Sequence, residues 1–238
     1  MTAWLHSRGR RAAALGICVA GLLAAVGCDP RSMIYFLQPF EPTIAPPCPS
    51  LKGKRVVVVT TANPVTRGDN PTLDRDLTKQ VVAILKESVK KVDVVDPDKV
   101  NTWVQGNPSW TDPADLARAF EADVVIALEV EHFEIENPNS PNLFEGKSDV
   151  HAVVTSWDHP KDAKGRPMKD KAKEAKEIFN DTKSTAFPVT GHIPMGPDVT
   201  RASFKSKFMK LVSTEVSWLF VEHAPGDNIQ DTRFNSLK

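Results

Sequence analysis

The chain has 238 residues, 41% hydrophobic and 25% charged, and its 30 lysines and arginines equal its 30 aspartates and glutamates. That balance excludes a disordered chain, which combines few apolar residues with a large net charge. It offers no basic excess for nucleic acid, and three cysteines are too few for a disulfide scaffold.

The chain opens on an address. Arg8, Arg10 and Arg11 precede an uncharged run from Ala12 to Gly27, and no acid falls before Cys28. A basic start and a short apolar run form a secretory signal peptide. The run is about 16 residues long, short of the roughly 20 that span a bilayer, although an uncleaved anchor is the alternative. It closes on Ala24-Ala25-Val26-Gly27-Cys28, and Asp29-Pro30 starts a loop. This resembles the lipobox of bacterial lipoproteins, with Ala25 where leucine is commonest. The resemblance implies cleavage between Gly27 and Cys28 and lipidation of Cys28, with palmitate-like acyl chains holding the protein at a membrane. Asp29 resembles a signal that keeps some lipoproteins in the inner membrane, and inner and outer membrane both stay open.

Residues 28–53 read as a tether. Pro30, Pro39, Pro42, Pro46, Pro47 and Pro49 forbid a helix and favour stiff, extended chain. Within it Met33-Ile34-Tyr35-Phe36-Leu37 is too apolar for a plain linker. Tyr35 and Phe36 are therefore candidate contact residues, against the domain, the lipid interface or a partner. Cys18 leaves with the signal and Cys28 takes lipid, so Cys48 is expected as a free thiol. Pairing with another chain or a small thiol is the alternative, or with Cys28 if that residue is not acylated.

The domain is expected over residues 54–223. Arg55 to Thr60 is a valine-rich strand. A helix from about Thr72 to Lys90 carries Leu77, Val81, Ile84, Leu85 and Val89 on one face. Val92 to Val95 is a short second strand. Asp96-Pro97 and Asp112-Pro113 each open a helix, with Asp as cap and Pro at the first position. Val124 to Val130 is the third strand, and past His132 the alternation slips, as at a bulge. Lys147 to Trp157 is a fourth, antiparallel strand. Residues 158–182 are dominated by charge and read as a loop and a surface helix over about Met168 to Asn180. Thr185 to Ile193 is a fifth strand at an edge, because Pro188 interrupts it. A strongly amphipathic helix from about Thr200 to Glu222 should cover a sheet face, and residues 224–238 form a tail. The expected fold is α/β, a single domain with a mixed four- to five-stranded sheet flanked by helices.

Val94-Val95-Asp96, the strand Ala122-Asp123-Val124-Val125-Ile126-Ala127-Leu128 and the later Asp158 and Gly165 give this order of elements a family look. It resembles the periplasmic domain shared by CsgG, LpoB and the N-terminal domain of TolB. Two features depart from that pattern: Glu121-Ala122 stands where glycine usually precedes the Asp, and the 158–183 segment is longer than the usual turn. The resemblance implies a non-enzymatic envelope lipoprotein working through protein contacts.

No P-loop, GxSxG, HExxH or CxxC motif is present. His132 and His151 come nearest to a chemical site. On a hairpin centred near Pro141-Asn142 they would face each other, with Glu131, Glu134 and Asp149 close by, a set able to hold zinc. Asp158-His159 reads as a surface pair. Trp110, between Pro108-Ser109 and Thr111-Asp112, is a candidate partner contact. The mature chain loses three arginines from 30 basic residues, leaving 27 against 30 acids, a net of −3. That argues further against nucleic acid or an anionic lipid surface as a partner. The leading expectation is a lipid-anchored, periplasm-facing binding or assembly module that is not an enzyme and needs no cofactor. A metal-assisted hydrolase on the His132/His151 hairpin and a purely structural lipoprotein are the alternatives.

Overall fold

Four consecutive valines, Val56 to Val59, are each at most 5% exposed. Successive strand residues point to opposite faces, so the strand they form must be covered on both. The computed structural model, which describes residues 43–225 apart from 138, 161 and 163, shows how. β1 (Arg55–Ala62) lies between β2 (Asp93–Val94) and β3 (Val124–Asn137), and both pairings are parallel.

Parallel neighbours need crossover connections. The first contains α1 (Pro64–Asp69) and α2 (Leu73–Ser88). Leu77, Val81 and Leu85, four residues apart, are fully buried and set α2 against one sheet face. The second contains α3 (Pro97–Gly106) and α4 (Pro113–Phe120), which pack Val100, Leu116 and Ala117 against Val57, Val59 and Val125 on the other face. Both expected starts are present: Asp96 accepts from the Asp98 amide and Asp112 from the Ala114 amide. α4 ends at Glu121, whose φ of 52° is the left-handed conformation that favours glycine.

From β3 onward the sheet is antiparallel. β4 (Ser140–Asp158) pairs with β3, β5 (Glu174–Phe187) pairs with β4, and β6 (Ile193–Pro194) adds a short pairing to the start of β4. The strand order is β2-β1-β3-β4-β5 with β6 off that path. This is the expected single α/β domain with an open mixed sheet, enlarged to six strands by β6. The expected bulge is present as a register shift between Val130 and His132, after which Phe133 and Ile135 take over the buried positions.

Two expectations for residues 158–193 are corrected. The segment expected as a surface helix, Met168 to Asn180, enters β5 at Glu174, and the edge strand expected at Thr185 to Ile193 ends at Phe187. β5 alternates where it matters. Phe179 sits edge-on to Phe220 at 6.4 Å, Thr185 hydrogen-bonds Glu215 at 2.8 Å, and Phe187 lies 6.2 Å from Phe204. Ile178 also packs on the main core, and most other positions are solvated, where an edge strand tolerates and benefits from charge. Interleaved Lys and Glu therefore marked solvent, not helix.

α5 (Arg201–Ser217) starts with a capping box between Thr200 and Ser203 and covers the same face as α2. It is not the one-faced helix expected. Phe204, Phe208, Leu211, Val212, Glu215 and Val216 are all buried, because the sheet lies on one side and α2 on another. Ser213 Oγ donates to Gln80 Oε1 of α2 at 2.8 Å. The helix stops five residues before Glu222. Trp218, Leu219 and Phe220 continue in tight turns whose amides reach three residues back. Phe204 stacks on Phe144 at 4.9 Å and Phe208 packs on Phe133 at 5.4 Å. The Phe208 ring lies so close to Gly146 that a Cβ there would be 2.5 Å from it.

The domain also reaches back into the proline-rich stretch. Ile44 and His223 exchange backbone hydrogen bonds of 2.8 and 3.2 Å, and the Cys48 amide donates to the Leu219 carbonyl at 3.1 Å. Cys48 and Leu51 are 4% and 2% exposed within the main core. Residues 43–53, assigned to the tether by their prolines, are thus an arm packed on the domain beside the end of α5. Burial pushes the Cys48 thiol up to about 12. Few thiolates form at neutral pH, so this thiol is a poor nucleophile.

Candidate functional site

Gly27, Cys28, Tyr35 and Phe36 lie outside the described residues. Trp110 is half-buried, edge-on to Trp103 with ring centroids 6.4 Å apart. Trp103 in turn meets Phe120 at 6.4 Å. The tryptophan expected at a contact surface thus belongs partly to the smaller core, on the rim of a shallow hollow shared with Asn107 and Asp115.

The two histidines expected to face each other do not. β3 pairs with β4 so that His151 is opposite Glu129 and His132 opposite Asp149. The last pairing before the turn is Asn137 with Ser140, so the hairpin does not centre near Pro141-Asn142. His132 thus meets a residue two places from the expected partner and His151 one three places away, the bulge after Val130 accounting for the difference. His151 Nε2 instead lies 2.8 Å from Asn180 Oδ1, and His132 Nε2 lies 3.5 Å from Glu134 Oε2. Among the described residues no three His, Cys, Asp or Glu side chains are grouped to hold a metal ion. Asp158 pairs with Lys54 at 3.6 Å, while His159 Nδ1 contacts the Lys171 carbonyl at 2.7 Å.

Polar side chains converge instead at the turn end of the β3–β4 ladder. β1 stops pairing at Ala62 opposite Val130. Beyond that point the edge of β3 has no strand beside it among the described residues. α1 closes the gap: Asn63 caps it through the Thr66 amide and also donates its Nδ2 to the Glu131 carbonyl. The start of α5 stands on the other side, where Arg201 Nε donates to Glu136 Oε1 at 2.5 Å. Between them opens a cleft of about 860 Å³, mouth included, along Phe133 to Asn137. Asp69 and Asn70, at the end of α1, complete its wall.

A second network braces the turn. Glu145 accepts from Lys147 Nζ at 2.6 Å and from Asn137 Nδ2 at 2.8 Å, and His192 Nδ1 lies 3.4 Å away. The Lys147 ammonium, with Asn137 assisting, holds the Glu145 carboxyl below its ordinary value. A carboxylate kept ionised here fixes Asn137, whose Oδ1 accepts from the Asn139 amide at 2.8 Å across the turn. Sequence reasoning missed this end. Asp69-Asn70-Pro71 reads as an ordinary loop, and its one available cue is that Asn follows helices readily.

No protein-family model matches the chain, and no curated protein matches it in sequence. Among solved structures, the PelC dodecamer of Paraburkholderia phytofirmans is 13% identical over 75% of this chain and 96% of its own, with a TM-score of 0.41. A lipoprotein of Neisseria meningitidis is 13% identical over 71% of this chain and 99% of its own, with a TM-score of 0.39. A hypothetical protein of Chlamydia trachomatis is 13% identical over 78% and 93%, with a TM-score of 0.40. At these identities and scores the likeness carries no functional argument. Among the described residues no helix is long and apolar enough to cross a membrane.

Proposed function

We propose that the chain is a lipid-anchored protein of the bacterial cell envelope whose periplasmic α/β domain is a non-enzymatic binding or assembly module. Cleavage after Gly27 and acylation of Cys28 supply the anchor. The resemblance of the element order to the CsgG, LpoB and TolB N-terminal domains supports the same reading. So does one observation in the fold, the opposition of its two ends. The arm enters beside the end of α5, whereas the polar cleft opens beside its start. A 17-residue helix separates them by roughly 25 Å. The packed arm therefore leaves the cleft uncovered, open to another envelope protein.

The test is capture. Full-length protein, purified with its associates from detergent-solubilised envelopes, should retain a stoichiometric envelope protein through washing. Recovery of the chain alone overturns the binding-module reading. The anchor has a separate test. Cys28→Ser should abolish incorporation of labelled fatty acid and leave the precursor unprocessed, and persistent labelling would place the lipid elsewhere.

A further inference from the structure

β5 ends the sheet, and among the described residues no segment hydrogen-bonds its outer edge. An open edge is a template for another strand, and charge is the usual means of blunting it. β5 carries charge, but in an order that does more than repel.

The register gives that order. Val150, Ala152 and Val154 of β4 face the main core. Directly opposite residues of an antiparallel pair share a face, so Lys183, Asp181 and Phe179 lie on that side of β5. Phe179 stands opposite Val154 and Glu177 opposite Thr155, which leaves Ile178 as an extra residue, a bulge. Ile178 and Phe179 both pack on the main core and together fill one position on that face. Beyond the bulge Lys176 lies opposite Ser156 and Glu174 opposite Asp158. Along this face the strand therefore runs minus, plus, apolar, minus, plus.

Such a pattern complements itself when reversed. Antiparallel pairing of two copies about the bulge sets Lys176 opposite Asp181 and Glu174 opposite Lys183, each twice, with Ile178 and Phe179 against their own copies. Neighbouring registers do worse. Centring on Lys176, Glu177 or Asp181 sets that residue against itself. Centring on Asn180 sets Lys176 against Lys183, and centring on Thr182 keeps only the Asp181–Lys183 pair. Among the described residues none of Glu174, Lys176, Asp181 and Lys183 forms an ion pair. Glu174, Lys176 and Asp181 are exposed, and Glu174 stands opposite a like charge, Asp158. Asp181 accepts from the Thr182 amide at 2.8 Å, and the Lys183 ammonium lies 5.5 Å from the Trp218 ring centre. A straight strand meets one residue too many at the bulge, whereas a second copy brings the same extra residue to the same level.

We propose that a second copy of this chain pairs edge to edge with β5, antiparallel about a twofold axis at the Ile178–Phe179 bulge. The backbone edges continue the ladder, the two charge pairs fix its register, and the apolar residues close its centre. The interface is isologous, each residue of a pair serving once from either copy. The proposal goes beyond the binding-module reading and holds whatever the cleft binds.

The test is sedimentation of full-length protein in detergent micelles. The parent should form a dimer at micromolar concentration. Lys176→Asp and Asp181→Lys each create two like-charge contacts and should each weaken the dimer about tenfold. Mixed in equal amounts, the two variants face each other with opposite charges throughout, and pairing should return to within about threefold of the parent. Unfolding cannot imitate that recovery. A second measurement fixes the geometry. Ala175 and Thr182 lie on the other face, opposite each other in this register. Under mild oxidation Ala175→Cys mixed with Thr182→Cys should form a covalent dimer. Either variant alone should not, because its two thiols would be roughly 20 Å apart. A monomeric parent, single charge variants that pair as the parent does, a mixture without recovery, or equal cross-linking by a cysteine variant alone overturns the proposal. The two readings fail separately. A captured envelope protein with no pairing at β5 sinks the dimer alone, and pairing at β5 with no captured protein sinks the binding module alone.

Discussion

The two faces of the sheet are built on opposite plans. One is covered from β1 to β5 by α2 and α5, with large aromatic rings at its centre. The other is covered over β1, β3 and the Trp157 end of β4, by the short α3 and α4, and then opens to solvent. Where the second face is open, Glu129, His151, Asn180 and Thr182 stand side by side across three strands. The same backbone ladder thus supports a dry side and a wet one. Stability should be concentrated on the first and tolerance to change on the second.

The largest effect is expected in the aromatic layer. Phe204→Ala should lower the unfolding free energy by about 3–5 kcal/mol in a denaturant titration, because Phe204 is fully buried among Phe144, Phe187 and Phe208. Gly146→Ala should cost roughly 1–3 kcal/mol, since the added methyl meets the Phe208 ring. A Gly146→Ala protein as stable as the parent would show that this layer is loosely packed. Cys48 tests the same face by pH. Its thiol ionises near 9 when unfolded and near 12 when folded. The unfolded state therefore releases the proton first, and the stability this group contributes, complete below pH 9, is lost as pH rises from 9 toward 12. Chemical denaturation should show that decline in the parent and a flatter curve in Cys48→Ala. On the other side of the molecule, Glu121→Gly should raise stability by about 1 kcal/mol, by relieving a left-handed residue. The smallest effect belongs to the wet ladder. His151→Ala should stay within about 0.5 kcal/mol, even though His151 contacts Asn180. A loss of several kcal/mol there would mean the second face is covered after all.

The contrast also explains which parts of the fold were legible. The valine run of β1, the Asp-Pro helix starts and the apolar period of α2 are local signals, and each was visible in a few residues. The bulge after Val130 was visible too, as a slip in alternation. What failed depended on partners far along the chain. β5 looked like a charged helix because edge-strand residues facing water carry no period. The arm looked like a linker because its proline content says nothing about Leu219 and His223, which receive it. The histidine pair failed on register, which the shifts along the β3–β4 ladder set. The cleft that Asn70 lines offered almost no local signal, since it exists only once α1, β3 and α5 have been brought together.

The arm has a mechanical consequence. Any pull on residue 43 is borne first by the Ile44–His223 bridge, next by the Cys48–Leu219 bond, and only then by Cys48 and Leu51 in the core. These contacts load one after another, so the arm should peel stepwise while β1, paired on both sides, stays in place. Releasing residues 43–53 would add roughly 35 Å of extended chain. On that order of loading, residues 43–53 would serve as a length of spare leash folded against the domain.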